Sequence, residues 1–167
     1  MTSPFHWRPM RPDDIATVTA VAAKVHTAFH EDDAVYIERL ALHPAGCRLL
    51  EHGGETAGYC LSHPWTAGAL PALNTLLGAL PVAPSTYYIH DVALLPVARG
   101  SGAAGTVVAA LAAHATDQGF SNLSLVAVNG SEGFWRRQGF HVVDAPELSA
   151  KLASYEAAAK LMARPLG

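Results

Sequence analysis

Residues 99–104, Arg-Gly-Ser-Gly-Ala-Ala, carry the chemistry most easily read from this chain. They stand between an apolar, strand-like run and a long run rich in Ala, Val and Leu, so they fall where a helix begins. The first backbone N–H groups of a helix have no partner within it, and the helix dipole adds partial positive charge there. Gly100, Ser101, Gly102, Ala103 and Ala104 are small enough to let a phosphate reach those N–H groups. Arg99 adds a planar, permanently charged guanidinium. The local chemistry is a cradle for a pyrophosphate.

Other ligands for the same glycines make different demands. Gly100-Ser-Gly102-Ala-Ala-Gly105 also has the dinucleotide spacing G-x-G-x-x-G. An NAD(P)-binding oxidoreductase of that kind wants an acid at the end of the next strand, for the ribose hydroxyls. The next strand candidate, residues 123–128, runs into Asn129 instead. No Lys-Ser or Lys-Thr pair follows the glycines, which excludes a P-loop. A tight connection with small residues for helix–sheet packing would need no ligand at all.

The elements that must hold this cradle follow from pattern. The 167 residues suggest a single domain, 1–167, and with half of them apolar and 15% charged a real core can form. A net charge of −3 with no basic stripe argues against a nucleic-acid partner. Cys47 and Cys60, with no C-x-x-C, read as reduced thiols of a cytoplasmic protein. The N-terminal residues carry no apolar run, so no secretory signal is expected. No stretch is long and apolar enough for a membrane span. The nine histidines are scattered, and no metal is expected.

Strands are expected at residues 5–10, 48–52, 56–62, 87–95, 123–128, 141–143 and 160–166. Gly53-Gly54 makes a two-residue hairpin turn between the second and third. Helices are expected from residue 15, capped by an aspartate, and over 35–41, 103–118, 131–138 and 147–158. Residues 63–86, with four prolines, read as a long loop holding one short helix. The order β-α-α-β-β-β-α-β-α-β-α-β is that of a mixed α/β fold.

Arg99 to Ala104 resembles the (Q/R)-x-x-G-x-(G/A) signature of the Gcn5-related N-acetyltransferases (GNAT), which hold the pyrophosphate of acetyl-CoA with it. The run Val92 to Pro96 is similar to that family's fourth strand and its closing proline. Asn129, and Phe134-Trp135-Arg-Arg-Gln-Gly139-Phe140, resemble the family's fifth-strand asparagine and the helix ending in Gly-Phe. The resemblance implies a mixed, mostly antiparallel sheet whose fourth and fifth strands splay apart to admit the pantetheine arm. It implies that backbone at Val92, Ala93 and Leu94 pairs with that arm and that Asn129 bonds it. It implies acetyl-CoA as acyl donor and a small-molecule amine or a peptide N-terminus as acceptor. A non-catalytic acyl-CoA-binding domain of the same fold is the alternative.

The same resemblance orders the catalytic candidates. His90 and Tyr88 match positions where family members carry a base, and an imidazole titrates near neutrality. Strand alternation would put Tyr88, His90, Val92 and Leu94 on one side and Asp91 on the other. The family's general acid is a tyrosine, but the matching residue is Trp135, whose indole has no proton to give. Tyr155 or Tyr88 is the substitute candidate. Glu31, Asp32 and Asp33 fall in the turn that borders the family's acceptor site, where carboxylates would attract an amine. The apolar stretch 64–84 would supply an acceptor wall or a homodimer contact.

Overall fold

The computed structural model describes residues 4–167. Its strands are β1 (Phe5–Pro9), β2 (Arg48–His52), β3 (Glu55–Trp65), β4 (Thr86–Leu94), β5 (Asn122–Ala127), β6 (His141–Val142) and β7 (Lys160–Pro165). They form one sheet in the order β1-β2-β3-β4-β5-β7-β6. The helices are α1 (Ile15–Val25), α2 (Asp33–Leu42), α3 (Ala103–Asp117), α4 (Glu132–Arg137) and α5 (Ser149–Ala153). Element order and sheet type are those read from the sequence. Gly53 and Gly54 have φ of 60° and 80°, the left-handed conformation that a two-residue turn between β2 and β3 requires.

Apolar faces decide the layering. Val18, Val21 and Ala22 of α1, with Tyr36 and Leu40 of α2, pack on Leu49, Tyr59, Leu61 and Ala93 of the sheet. On the opposite face Val107, Val108, Leu111 and Ala115 of α3 cover Tyr87, Ile89, Leu123 and Leu125. Each fully buried large aliphatic side chain contributes roughly 1.5–3 kcal/mol, so the two faces clamp the middle of the sheet rigidly.

Two irregularities in β4 shape the site. First, β4 and β5 are parallel and pair only at Tyr87–Leu123 and Tyr88–Ser124. β5 then follows β7 along its whole length, and among the described residues no strand pairs with the β5-facing edge of β4 from Ile89 onward. Second, Leu61 faces Asp91 while Ser62 faces Ile89, so His90 is an extra residue, a β-bulge. The bulge resets the alternation. Asp91 and Ala93 now share the α1/α2 side with Tyr88, while Ile89 and Val92 face α3. The expectation that Asp91 points away from Tyr88 and His90 is therefore corrected.

Three local expectations also change. β3 runs on to Trp65, and residues 66–85 contain no helix. Their prolines remove donors, and the N–H groups of Leu77 and Gly78 go to the Glu38 carboxylate at 2.6 and 2.9 Å. The expected helix over 147–158 shrinks to α5, with Glu147 in a preceding 3₁₀ turn. Tertiary bonds take the rest: Tyr155 donates its hydroxyl to the Pro71 carbonyl, and Glu156 accepts the Asn129 N–H at 2.6 Å. Asp14 does not cap α1 with its side chain, because its carboxylate holds the Arg8 guanidinium at 2.8 Å and the Arg11 N–H at 2.7 Å.

Buried imidazoles give the fold a pH dependence. Burial pulls His63 from 6.5 down to about 3, and burial with the neighbouring His114 pulls His43 down to about 4. The unfolded chain binds these protons more readily, so both histidines stabilise the fold above pH 6.5 and cease to as the pH falls toward 4 and then 3. His26, raised by Asp91 in spite of burial, acts with the opposite sign. The melting temperature should fall as the pH drops below 6.5, less steeply in His63→Leu; an unchanged slope in that variant would contradict the assignment.

Candidate active site

The loop from Arg99 to Gly102 stands at the N-terminus of α3, where the sequence places it. Gly102 is the N-cap of α3 at φ 86°, and Gly100 has φ 77°, both strained for an L side chain. A Cβ at either would meet nothing within 4 Å, so the surface above the loop is open. Ser101 Oγ donates to the Ala98 carbonyl at 2.5 Å and accepts the Ala103 N–H at 3.2 Å, which locks the loop. The N–H groups of Gly100, Gly102, Ala104 and Gly105 bond no group among the described residues. Four unpaired donors at the positive end of a 15-residue helix suit an anion.

From this loop a cavity of about 260 Å³ runs into the gap between β4 and β5. Arg99 and Ala104 stand at one end, and Val92, Leu94, Asn129 and Trp135 line it. Ala93 lies in the core on the opposite face, so only its backbone belongs to this edge. Asn129 has φ 56° in a turn with Gly130, so it is a left-handed turn residue and a cavity wall at once. Trp135 is buried edge-on to Phe134 and Phe140, at centroid distances of 4.9 and 5.3 Å.

A smaller cavity of about 60 Å³ adjoins the first, with walls from Phe29, Glu31, Pro71, Leu73, Tyr88 and Tyr155. His26, His90, Asp91, Val126 and Val128 line both cavities, so the two hollows meet where the strands part. His90 donates its Nε2–H to Glu31 Oε1 at 2.8 Å, which leaves Nδ1 without a partner among the described residues, in a ring that lines both hollows. Glu31 is only 8% exposed, and its other oxygen accepts the Asn74 N–H at 3.1 Å. Burial raises the Glu31 pKa, but the bonds from His90 and Asn74 outweigh it and hold the carboxyl below its ordinary value. Beside this pair, His26 donates Nε2–H to Asp91 Oδ1 at 2.7 Å, and Asp91 Oδ2 accepts the Tyr59 hydroxyl. Burial lowers the His26 pKa, yet Asp91 raises it further, to a net increase.

An imidazole held by a carboxylate lines the hollow that joins the N-terminal loop of α3, and an imidazole with one free nitrogen can take up a proton. The description acetyltransferase (GNAT) family belongs to a family model that matches residues 15–140.

The chain belongs to the GNAT acetyltransferase family.

No curated protein sequence matches the chain. Among solved structures, Ard1 from Thermoplasma volcanium is 15% identical with a TM-score of 0.72, covering 98% of each chain. The loading GNATL domain of CurA from Lyngbya majuscula is 12% identical with a TM-score of 0.80, again covering 98% of each. Arabidopsis thaliana Naa50, in complex with the bisubstrate analogue CoA-Ac-MVNAL, is 12% identical with a TM-score of 0.70, covering 96% of this chain and 97% of that one. At these identities the likeness is one of fold.

Within this GNAT fold the expected residues separate. Glu31 enters the smaller hollow, but its carboxylate is engaged by His90. Asp32 is exposed and bonds His30 at 2.9 Å, and Asp33 opens α2; neither lines the hollows. Tyr88 and Tyr155 line the smaller hollow only, away from Trp135. Burial raises both phenols, Tyr155 to about 12, so both stay protonated at neutral pH. His26, Tyr59 and Asn74 were not anticipated. His26 and His30 have the i,i+4 spacing of helical ligands, but α1 ends at Val25 and their rings go to different carboxylates.

Proposed function

We propose that this GNAT protein transfers an acetyl group from acetyl-CoA to the primary amine of a small molecule or a peptide N-terminus, by direct attack in a ternary complex. The observation that supports it is the meeting of the two hollows at the free Nδ1 of His90, with Glu31 behind the ring. The open N–H groups of the α3 loop and Arg99 suit the pyrophosphate of CoA, and the gap beside Val92 and Leu94 suits its extended arm. Bound there, acetyl-CoA supplies an acyl group activated as a thioester.

His90 takes the chemical part. Its Nδ1 accepts a proton as the amine nitrogen bonds to the acyl carbon, and Glu31 stabilises the imidazolium that forms. The C–S bond then breaks, and the same imidazolium returns the proton to the departing thiolate. One histidine lining both hollows can serve both partners, so Trp135 in place of a tyrosine leaves no missing acid.

The test is thiol release from acetyl-CoA against a panel of amines. Release should depend on the amine and match N-acetyl product one to one. Binding of CoA without amine-dependent release would indicate a non-catalytic acyl-CoA-binding protein.

A further inference from the structure

We propose that the acceptor is a small primary amine with an apolar body and no carboxylate. The proposal rests on the reading that the smaller hollow takes the acceptor, and it is carried by three observations there.

The first is charge. Among the described residues Glu31 and Asp91 are the carboxylates of the hollow, and no lysine or arginine lines it. Each of its two imidazoles is tied through Nε2 to a carboxylate, His90 to Glu31 and His26 to Asp91. Arg39 is buried and turned to Glu38, at 2.9 Å, and to the Thr75 carbonyl. A carboxylate on the acceptor would therefore leave water beside Glu31 with no unpaired cation among the described lining residues to meet it, which is heavily penalised.

The second is the wall. Phe29, Leu73, Val126 and Val128, with the rings of Tyr88 and Tyr155, offer apolar surface to a hydrocarbon body. The third is the roof. Asn74, at φ 54°, ties residues 66–85 to the α1–α2 turn with three bonds. Its N–H goes to Glu31, its Oδ1 accepts the Asp32 N–H at 2.7 Å, and its Nδ2 donates to Asp32 Oδ2 at 3.2 Å. Tyr155 holds Pro71 from the other side. A cavity of about 60 Å³ roofed from both sides suits a compact molecule better than an extended peptide.

Binding can be measured separately from turnover. Phenethylamine and phenylalanine, isopentylamine and leucine, and a free-amine tetrapeptide are titrated by calorimetry into CoA-loaded protein. Each amine should bind at least about a hundredfold more tightly than its carboxylated partner, and more tightly than the peptide. Leu73→Arg, which places a cation in the roof, should improve phenylalanine binding at least about tenfold without altering CoA affinity. Three results would overturn the proposal: phenylalanine binding the wild type as well as phenethylamine does, the peptide binding more tightly, or no amine binding the CoA-loaded protein. Failure of the acyltransfer reading would show instead as lost CoA binding or lost thiol release, both measured separately.

Discussion

Replacing His90 with alanine is expected to lower kcat/KM for the amine by about 10²–10⁴-fold, the range for loss of a general base. CoA affinity should hold, because the cradle from Gly100 to Gly105 is untouched. Alanine also strips buried Glu31 of its His90 bond, so some destabilisation is expected. His90→Gln separates the two effects: its amide can still donate to Glu31 but cannot accept the amine proton. If both variants fold, bind CoA and acetylate normally, His90 has no part in the chemistry.

Pattern alone carried much of this protein, and the reason is local. The role proposed for Arg99 to Ala104 rests on backbone N–H groups and small size, properties that a short sequence states directly. The strand before them and α3 after them are long and apolar, so their type was not in doubt. What the sequence hid depends on contacts between distant elements. The bulge at His90 comes from the β3–β4 register and has no local marker. Without it Asp91 would not meet His26 and Tyr59. Of the acids at 31–33, which one turns inward is decided by His90 and Asn74, both remote in sequence. The helix expected over 147–158 had a sound local pattern, yet Tyr155 and Glu156 are held by Pro71 and Asn129. Tertiary bonds override propensity there.

The second large effect is expected in the cradle. Gly102→Val would be ambiguous, because φ 86° strains valine whatever it does to a ligand. Ala104→Glu avoids this. Ala104 is the second residue of α3, and its side chain lines the larger cavity. A glutamate in the first turn of a helix is favourable, by about 0.3–1 kcal/mol, so the free protein should melt at the same temperature or slightly higher. The same carboxylate would face the pyrophosphate and take the free N–H groups. CoA affinity should drop by about a hundredfold or more, and Arg99→Ala should cost less, because the N–H groups remain. Normal CoA binding by Ala104→Glu would place the cofactor elsewhere.

The seat of the acyl donor is the claim on which the rest depends, and amide NMR of the ¹⁵N-labelled protein titrated with acetyl-CoA tests it most directly. Large shifts are expected at the N–H groups of Gly100, Gly102, Ala104 and Gly105 and along Ile89 to Leu94, with NAD leaving these resonances in place. Shifts confined to another surface, or an equal response of the loop to NAD, would contradict it.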